Sequence, residues 1–170
     1  ERITALRALA NRTEVSDGEI YVNFGSYEVK GWDPDPGHLN TPFITHALAL
    51  LHQSPEVEKT LGPVPLSWIS NIHTLYDTPL VLNYSVNPDY NYTLTLTYVA
   101  NMFGSAPIKL TVNESHVLHE EFIITGKVAS YSAKIPDNEV RTGKLSFKWT
   151  TPSGYHGVNI AELFLIRERN

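Results

Sequence analysis

Three clusters in the sequence join aromatic rings to hydrogen-bonding side chains. Trp32 stands in Lys30-Gly31-Trp32-Asp33-Pro34-Asp35-Pro36-Gly37, Trp68 and Tyr76 bracket Asn71, His73 and Asp77, and Tyr155 and His156 lie between Gly154 and Gly157. This combination suits a sugar: a ring stacks on the apolar C–H face of a pyranose, and a few polar groups fix its hydroxyls. Trp32, Trp68, Asn71, His73, Tyr76, Tyr155 and His156 are therefore the candidate ligand-binding residues. Each competes with a structural role. Trp68 has apolar neighbours in Leu66 and Ile69 and also reads as core, Asp77 suits a turn before Thr78-Pro79, and Trp149 reads as core outright.

Other chemistry is poorly supported. No Gly-x-Ser-x-Gly, phosphate loop or Gly-x-Gly-x-x-Gly is present, and the absence of cysteine removes thiol nucleophiles, zinc-thiolate sites and disulfides together. His116 and His119 suggest a metal, but three apart on a regular strand they point to opposite faces and need a bulge or turn to meet. Any two of the 18 acids could form a glycosidase pair, yet no pair is singled out. Glu162 is the most informative charge. It sits in the nearly continuous apolar run 158–166, and a buried carboxylate must be paired, hydrogen-bonded, metal-bound or protonated; an edge strand with Glu162 in water is the alternative.

The elements that must position these residues are strands. Tyr92, Leu94, Leu96 and Tyr98 alternate with three threonines, as a half-buried antiparallel strand does. Ile108, Leu110 and Val112, then Tyr131, Ala133 and Ile135, then Leu145, Phe147 and Trp149 repeat the period of two, with turn residues every 8 to 12 positions. The run 158–166 fits a central strand. Before residue 65 the pattern changes: 19–29 supports one or two strands, whereas 31–65 holds six prolines and reads as a long irregular loop. One short helix is expected there, with Ser54 as N-cap, Pro55 at the first position and Gly62 at the exit, and 45–52 suggests another helical turn. Long connections of this kind are usually functional. The expectation is one all-β domain over 1–170, a jelly-roll-like antiparallel β-sandwich of about eight strands.

With 170 residues, 42% of them hydrophobic and 18% charged, the composition is that of a folded globular chain. A net charge of -5 without a basic patch argues against nucleic acid as a partner, and no apolar run approaches the ~18 residues of a membrane span. Glu1 opens the chain without a basic segment and apolar stretch, so any leader is expected to have been removed. Four Asn-x-Ser/Thr acceptors, at Asn11, Asn83, Asn91 and Asn113, are about twice the ~2 expected from composition and point to a secreted, glycosylated product.

The segment from Trp68 through Ile72-His73-Thr74-Leu75-Tyr76-Asp77 to Leu80 gains meaning beside Gly143-Lys144-Leu145-Ser146-Phe147-Lys148-Trp149 and Ala161-Glu162-Leu163-Phe164-Leu165. In this order, over roughly residues 65 to 168, the sequence resembles galactose-binding-like β-sandwich domains, which accompany many secreted glycoside-processing enzymes and cell-surface proteins. The resemblance implies a jelly roll that binds sugar through loops at one end or along one face. It also implies a structural calcium between an early loop and the final strand, with Glu162 as ligand and Asp33 or Asp35 as partners. The expected function is a secreted, non-catalytic carbohydrate-binding domain whose partner is a polysaccharide or glycan. The alternative is a structural or adhesive subunit contacting other extracellular domains or copies of itself, to which the 31–65 arm and segment 3–10 would contribute.

Overall fold

The structure is a computed structural model that describes residues 18–23, 28–31, 44–48, 70–74, 79–99, 106–124, 128–152 and 158–168. These form strands β1 (Ile20–Asn23), β2 (Glu28–Gly31), β3 (Ile44–Leu48), β4 (Ser70–Thr74), β5 (Leu80–Ser85), β6 (Tyr92–Val99), β7 (Ile108–Val112), β8 (His116–Phe122), β9 (Val128–Lys134), β10 (Lys144–Thr150) and β11 (Ile160–Arg167), with one short helix, α1 (Asp137–Val140). They make an all-β, jelly-roll-like sandwich of two antiparallel sheets, one of seven strands and one of four in the order β5-β10-β7-β8.

The period-two pattern becomes the interior of the sandwich. Tyr92, Leu94, Leu96 and Tyr98 on β6 meet Leu145, Phe147 and Trp149 on β10 and Ile108, Leu110 and Val112 on β7 in one core. β11 is the central strand of the larger sheet. Along one edge it pairs β6 over its whole length; the other edge is shared by β1, opposite residues 162–165, and β4, opposite Ile160. Its apolar run has a double cause. Leu163 and Leu165 enter the core, while Phe164, on the other face, packs on its cross-strand partner Tyr21 with centroids 5.4 Å apart, both rings buried. A bulge at Ala161 brings Ile160 into the core as well.

Two expectations need correction. Segment 45–48 belongs to β3, paired residue for residue with β4, and not to a helical turn, so the 31–65 stretch is not wholly irregular. Ala and Leu there favour a helix only weakly, and the β4 partner decides the conformation. The expected 54–62 helix lies outside the described residues. Secondly, β8 is bulged twice against β7: three residues of β8 span the two-residue step from Ile108 to Leu110, and two span the step from Leu110 to Thr111. Glu121, at φ 50°, sits in the first bulge. The bulges overturn the strict alternation assumed for His116 and His119, since register sets His116 opposite Val112 and His119 opposite Leu110, on one side of the sheet.

Candidate functional site

Strand directions sort the connections between two ends of the sandwich. At one end β7 turns into β8 through a three-residue loop, Asn113 to Ser115, in which Asn113 and Glu114 take positive φ (53° and 56°) and Ser115 N donates back to the Val112 carbonyl at 3.2 Å. This end is tied down. Asn113 Oδ1 accepts from Ser146 N at 2.8 Å, its Nδ2 donates to Glu139 Oε2 at 2.8 Å and to the Lys144 carbonyl at 3.2 Å, and Ser115 Oγ donates to Glu139 Oε1 at 2.5 Å. The hydroxyl of Ser115 and the amide of Asn113 hold the Glu139 carboxyl below its ordinary range. Nearby, Arg141 donates to the Tyr90 carbonyl and to Asn91 Oδ1, both at 2.9 Å, and the Tyr92 hydroxyl donates to the Gly18 carbonyl at 2.7 Å.

At the other end β6 and β10 finish, at Val99 and Thr150, and β5, β7, β9 and β11 begin. A concavity of about 390 Å³ opens there, with Lys109 on β7, Glu120 and Glu121 on β8, and Thr150 and Thr151 at the end of β10, between Pro107 and Pro152. Lys109 Nζ lies 3.8 Å from Glu120 Oε1, both side chains about half exposed or more. Carboxylates, an ammonium and two hydroxyls between proline rings offer acceptors and donors to a polyhydroxylated ligand along apolar walls.

Beneath this groove a hydrogen-bonded relay crosses the sandwich. Trp149 Nε1–H donates to the Tyr98 hydroxyl at 2.9 Å, this hydroxyl meets His119 Nε2 at 2.8 Å, and His119 Nδ1 meets the Ile108 carbonyl at 3.0 Å. Since a carbonyl only accepts, Nδ1 carries the proton, Nε2 accepts, and Tyr98 must donate to it; the chain has one direction. The rings of Tyr98, Phe122 and Tyr131 surround His119 at centroid distances of 5.9, 5.0 and 4.6 Å, and Tyr131 OH donates to the Leu118 carbonyl at 2.9 Å. Burial lowers the His119 pKa and pushes the Tyr98 phenol well above its ordinary value. With both nitrogens of His119 engaged and His116 exposed, the pair is not arranged around a common ion.

Of the residues expected to bind sugar, Asn71 and His73 are placed by their backbone on β4, opposite Ala47 and Thr45 of β3, and β4 borders the start of β11. Trp32, Trp68, Tyr76, Tyr155 and His156 lie outside the described residues. Glu162 is fully buried on the central strand, opposite Thr97 and Asn23. Asp33 and Asp35, the other two residues expected to hold calcium, lie outside the described residues, and among the described ones no group of three His, Asp or Glu gathers. Of the acceptor asparagines, Asn83 is exposed on β5, Asn91 holds Arg141, Asn113 is tied into its hairpin, and Asn11 lies outside the described residues. The groove residues Lys109, Glu120, Glu121 and Thr150 were not singled out by sequence, because charged and hydroxyl residues alternating along a strand read as its solvent face.

No family model and no curated protein matches the chain. Among solved structures it is similar to the ANX2 ectodomain from Arabidopsis thaliana, at 18% identity over 89% of this chain and 42% of that one, with a TM-score of 0.62. The Arabidopsis ANX1 ectodomain gives 15% identity over 88% and 41%, also with a TM-score of 0.62. A Podospora anserina GH26-CBM35 β-(1,4)-mannanase gives 11% identity over 91% and 29%, with a TM-score of 0.51. The chain thus spans less than half the length of these proteins, and what it shares with them is the antiparallel sandwich fold.

Proposed function

We propose that the chain is an extracellular, non-catalytic carbohydrate-binding domain that holds a polysaccharide or glycan at the open end of the sandwich. The observation that carries this reading is the groove of Lys109, Glu120, Glu121, Thr150 and Thr151 at the end where β6 and β10 finish. The fold shared with receptor ectodomains and with an enzyme bearing a carbohydrate-binding module supports it. A non-catalytic role is favoured because both groove acids come from β8, on one wall, and the facing wall supplies threonines. Glycoside hydrolysis needs carboxyl groups on either side of the scissile bond.

Affinity electrophoresis against neutral and acidic polysaccharides, backed by a glycan array, tests the proposal. At least one polysaccharide should retard the wild-type protein, and Glu120→Gln or Thr150→Ala should weaken that binding about tenfold each, the effect of about one hydrogen bond to a charged or hydroxyl group. A flat profile across all glycans, or binding indifferent to both substitutions, overturns it.

A second reading, an adhesive subunit, draws on the exposed Val117 (42%) on edge strand β8 and Ile123 (52%) just beyond it. Sedimentation of a monomer at all concentrations would sink it.

A further inference from the structure

The acceptor asparagines among the described residues, Asn83, Asn91 and Asn113, are equivalent in sequence but not in the fold. Asn113 has no amide hydrogen to spare: Nδ2 donates to both Glu139 Oε2 and the Lys144 carbonyl, Oδ1 accepts from Ser146 N, and the residue sits at φ 53° inside the tight turn. Its sequon hydroxyl, Ser115 Oγ, is bound to the same Glu139. Asn83 is the opposite case. It is exposed at the middle of β5, an outer strand of the four-stranded sheet, and its amide makes no hydrogen bond among the described residues. Ser85, two residues on and on the same face, is partly exposed.

We propose that Asn83 is an N-glycosylation site of this sandwich and that Asn113 stays bare, its amide serving as a clasp. In the modification, Nδ2 attacks the anomeric carbon of a lipid-linked oligosaccharide pyrophosphate. A C–N bond forms, the C–O bond to phosphate breaks, the leaving pyrophosphate takes the electron pair and the amide gives up one proton. At Asn83 this costs the fold nothing. At Asn113 it removes a donor hydrogen from a two-bond clasp and sets a sugar ring between β10 and α1, so a chain modified there before folding cannot close the hairpin. The glycan on Asn83 covers the β5 edge, three strand spacings, or about 14 Å, from β8. It blocks edge-to-edge pairing at β5 and leaves the groove open.

The inference rests on the extracellular part of the proposed function and not on sugar binding, and occupancy is read without any ligand. The full chain is secreted from a eukaryotic host, and glycopeptides are mapped by mass spectrometry after enzymatic deglycosylation in heavy-oxygen water. Asn83 should carry the label in most secreted molecules and Asn113 in none. Ser115→Thr keeps a hydroxyl toward Glu139 and strengthens the acceptor; its secreted fraction should still be bare at Asn113, with any modified form retained in the cell. A bare Asn83 overturns the proposal, and so does a secreted protein glycosylated at Asn113 whose melting temperature equals that of the unmodified chain.

Discussion

Tyr98→Phe tests the relay with little change in shape. The ring keeps its contacts with Phe122 (5.4 Å) and His119 (5.9 Å) and loses only an oxygen that accepts from Trp149 and donates to His119. Trp149 Nε1–H is then buried without its acceptor, and His119 Nε2 without its donor. Each such group costs about 1–3 kcal/mol, offset in part because the desolvated hydroxyl is gone too, so a loss of about 3 kcal/mol is expected. For a domain of this size that lowers the melting temperature by about 6–12 °C and removes a sizeable share of a total near ~10 kcal/mol. Urea unfolding of wild type, Tyr98→Phe, His119→Phe and the double variant forms a cycle, and coupling of at least ~1 kcal/mol should appear between the two sites. A Tyr98→Phe loss below ~0.5 kcal/mol, or strict additivity with His119→Phe, would refute the claim that this chain of bonds holds the open end together.

Because burial depresses the His119 pKa, the unfolded chain takes up the proton first. Stability is therefore full above the ordinary value of 6.5 and falls as pH drops from there toward the lowered folded value; His119→Phe should flatten this portion of a melting-temperature profile. Glu139 has the carboxylate version of the same sign: its stabilisation is present above about 4.5 and lost as pH falls through its depressed folded value. Glu139→Gln should cost about 1.5–3 kcal/mol at neutral pH by urea titration and remove that acid limb. Thr97 Oγ1 is buried and has no hydrogen-bond partner among the described residues, so Thr97→Val should stabilise by about 1 kcal/mol. A destabilised Thr97→Val protein in the same titration would mean that the hydroxyl has a working partner.

Period-two strands were legible from sequence because a single physical cause, one buried face, writes them. Leu94, Leu96, Phe147 and Trp149 lie where alternation places them, and 158–165 is deep because both faces of β11 are closed there. What sequence does not carry is anything that exists only relative to a partner. β3 ends in the helix-favouring Ala47 and Leu48 yet becomes a strand through pairing with β4, and the bulges of β8 are extra residues only when counted against β7. The candidate site suffered for the same reason. His119 was visible as a histidine in a strand, but its function depends on a bulge that puts it and Phe122, three residues apart, on the same side, and on Tyr98 arriving from the other sheet. The groove acids carry no distinguishing local pattern at all.

The two ends of the sandwich divide stability from variability in a way that bears on binding. Asn113, Glu139, Arg141 and Tyr92 fix one end through side-chain bonds between neighbouring turns, so substitutions at Asn113, Glu139 or Tyr92 leave part-buried polar groups without partners. At the other end the neutral relay lies below the groove, and the groove side chains themselves take no part in it: Lys109, Glu120, Thr150 and Thr151 can change without breaking the chain from Trp149 to Ile108. Such an arrangement lets the groove surface be rewritten on an unchanged support. Glu120→Gln should therefore alter polysaccharide retardation while leaving the unfolding midpoint within ~0.5 kcal/mol of wild type, whereas Tyr98→Phe should shift both, because loosening β8 moves the wall on which Glu120 and Glu121 stand.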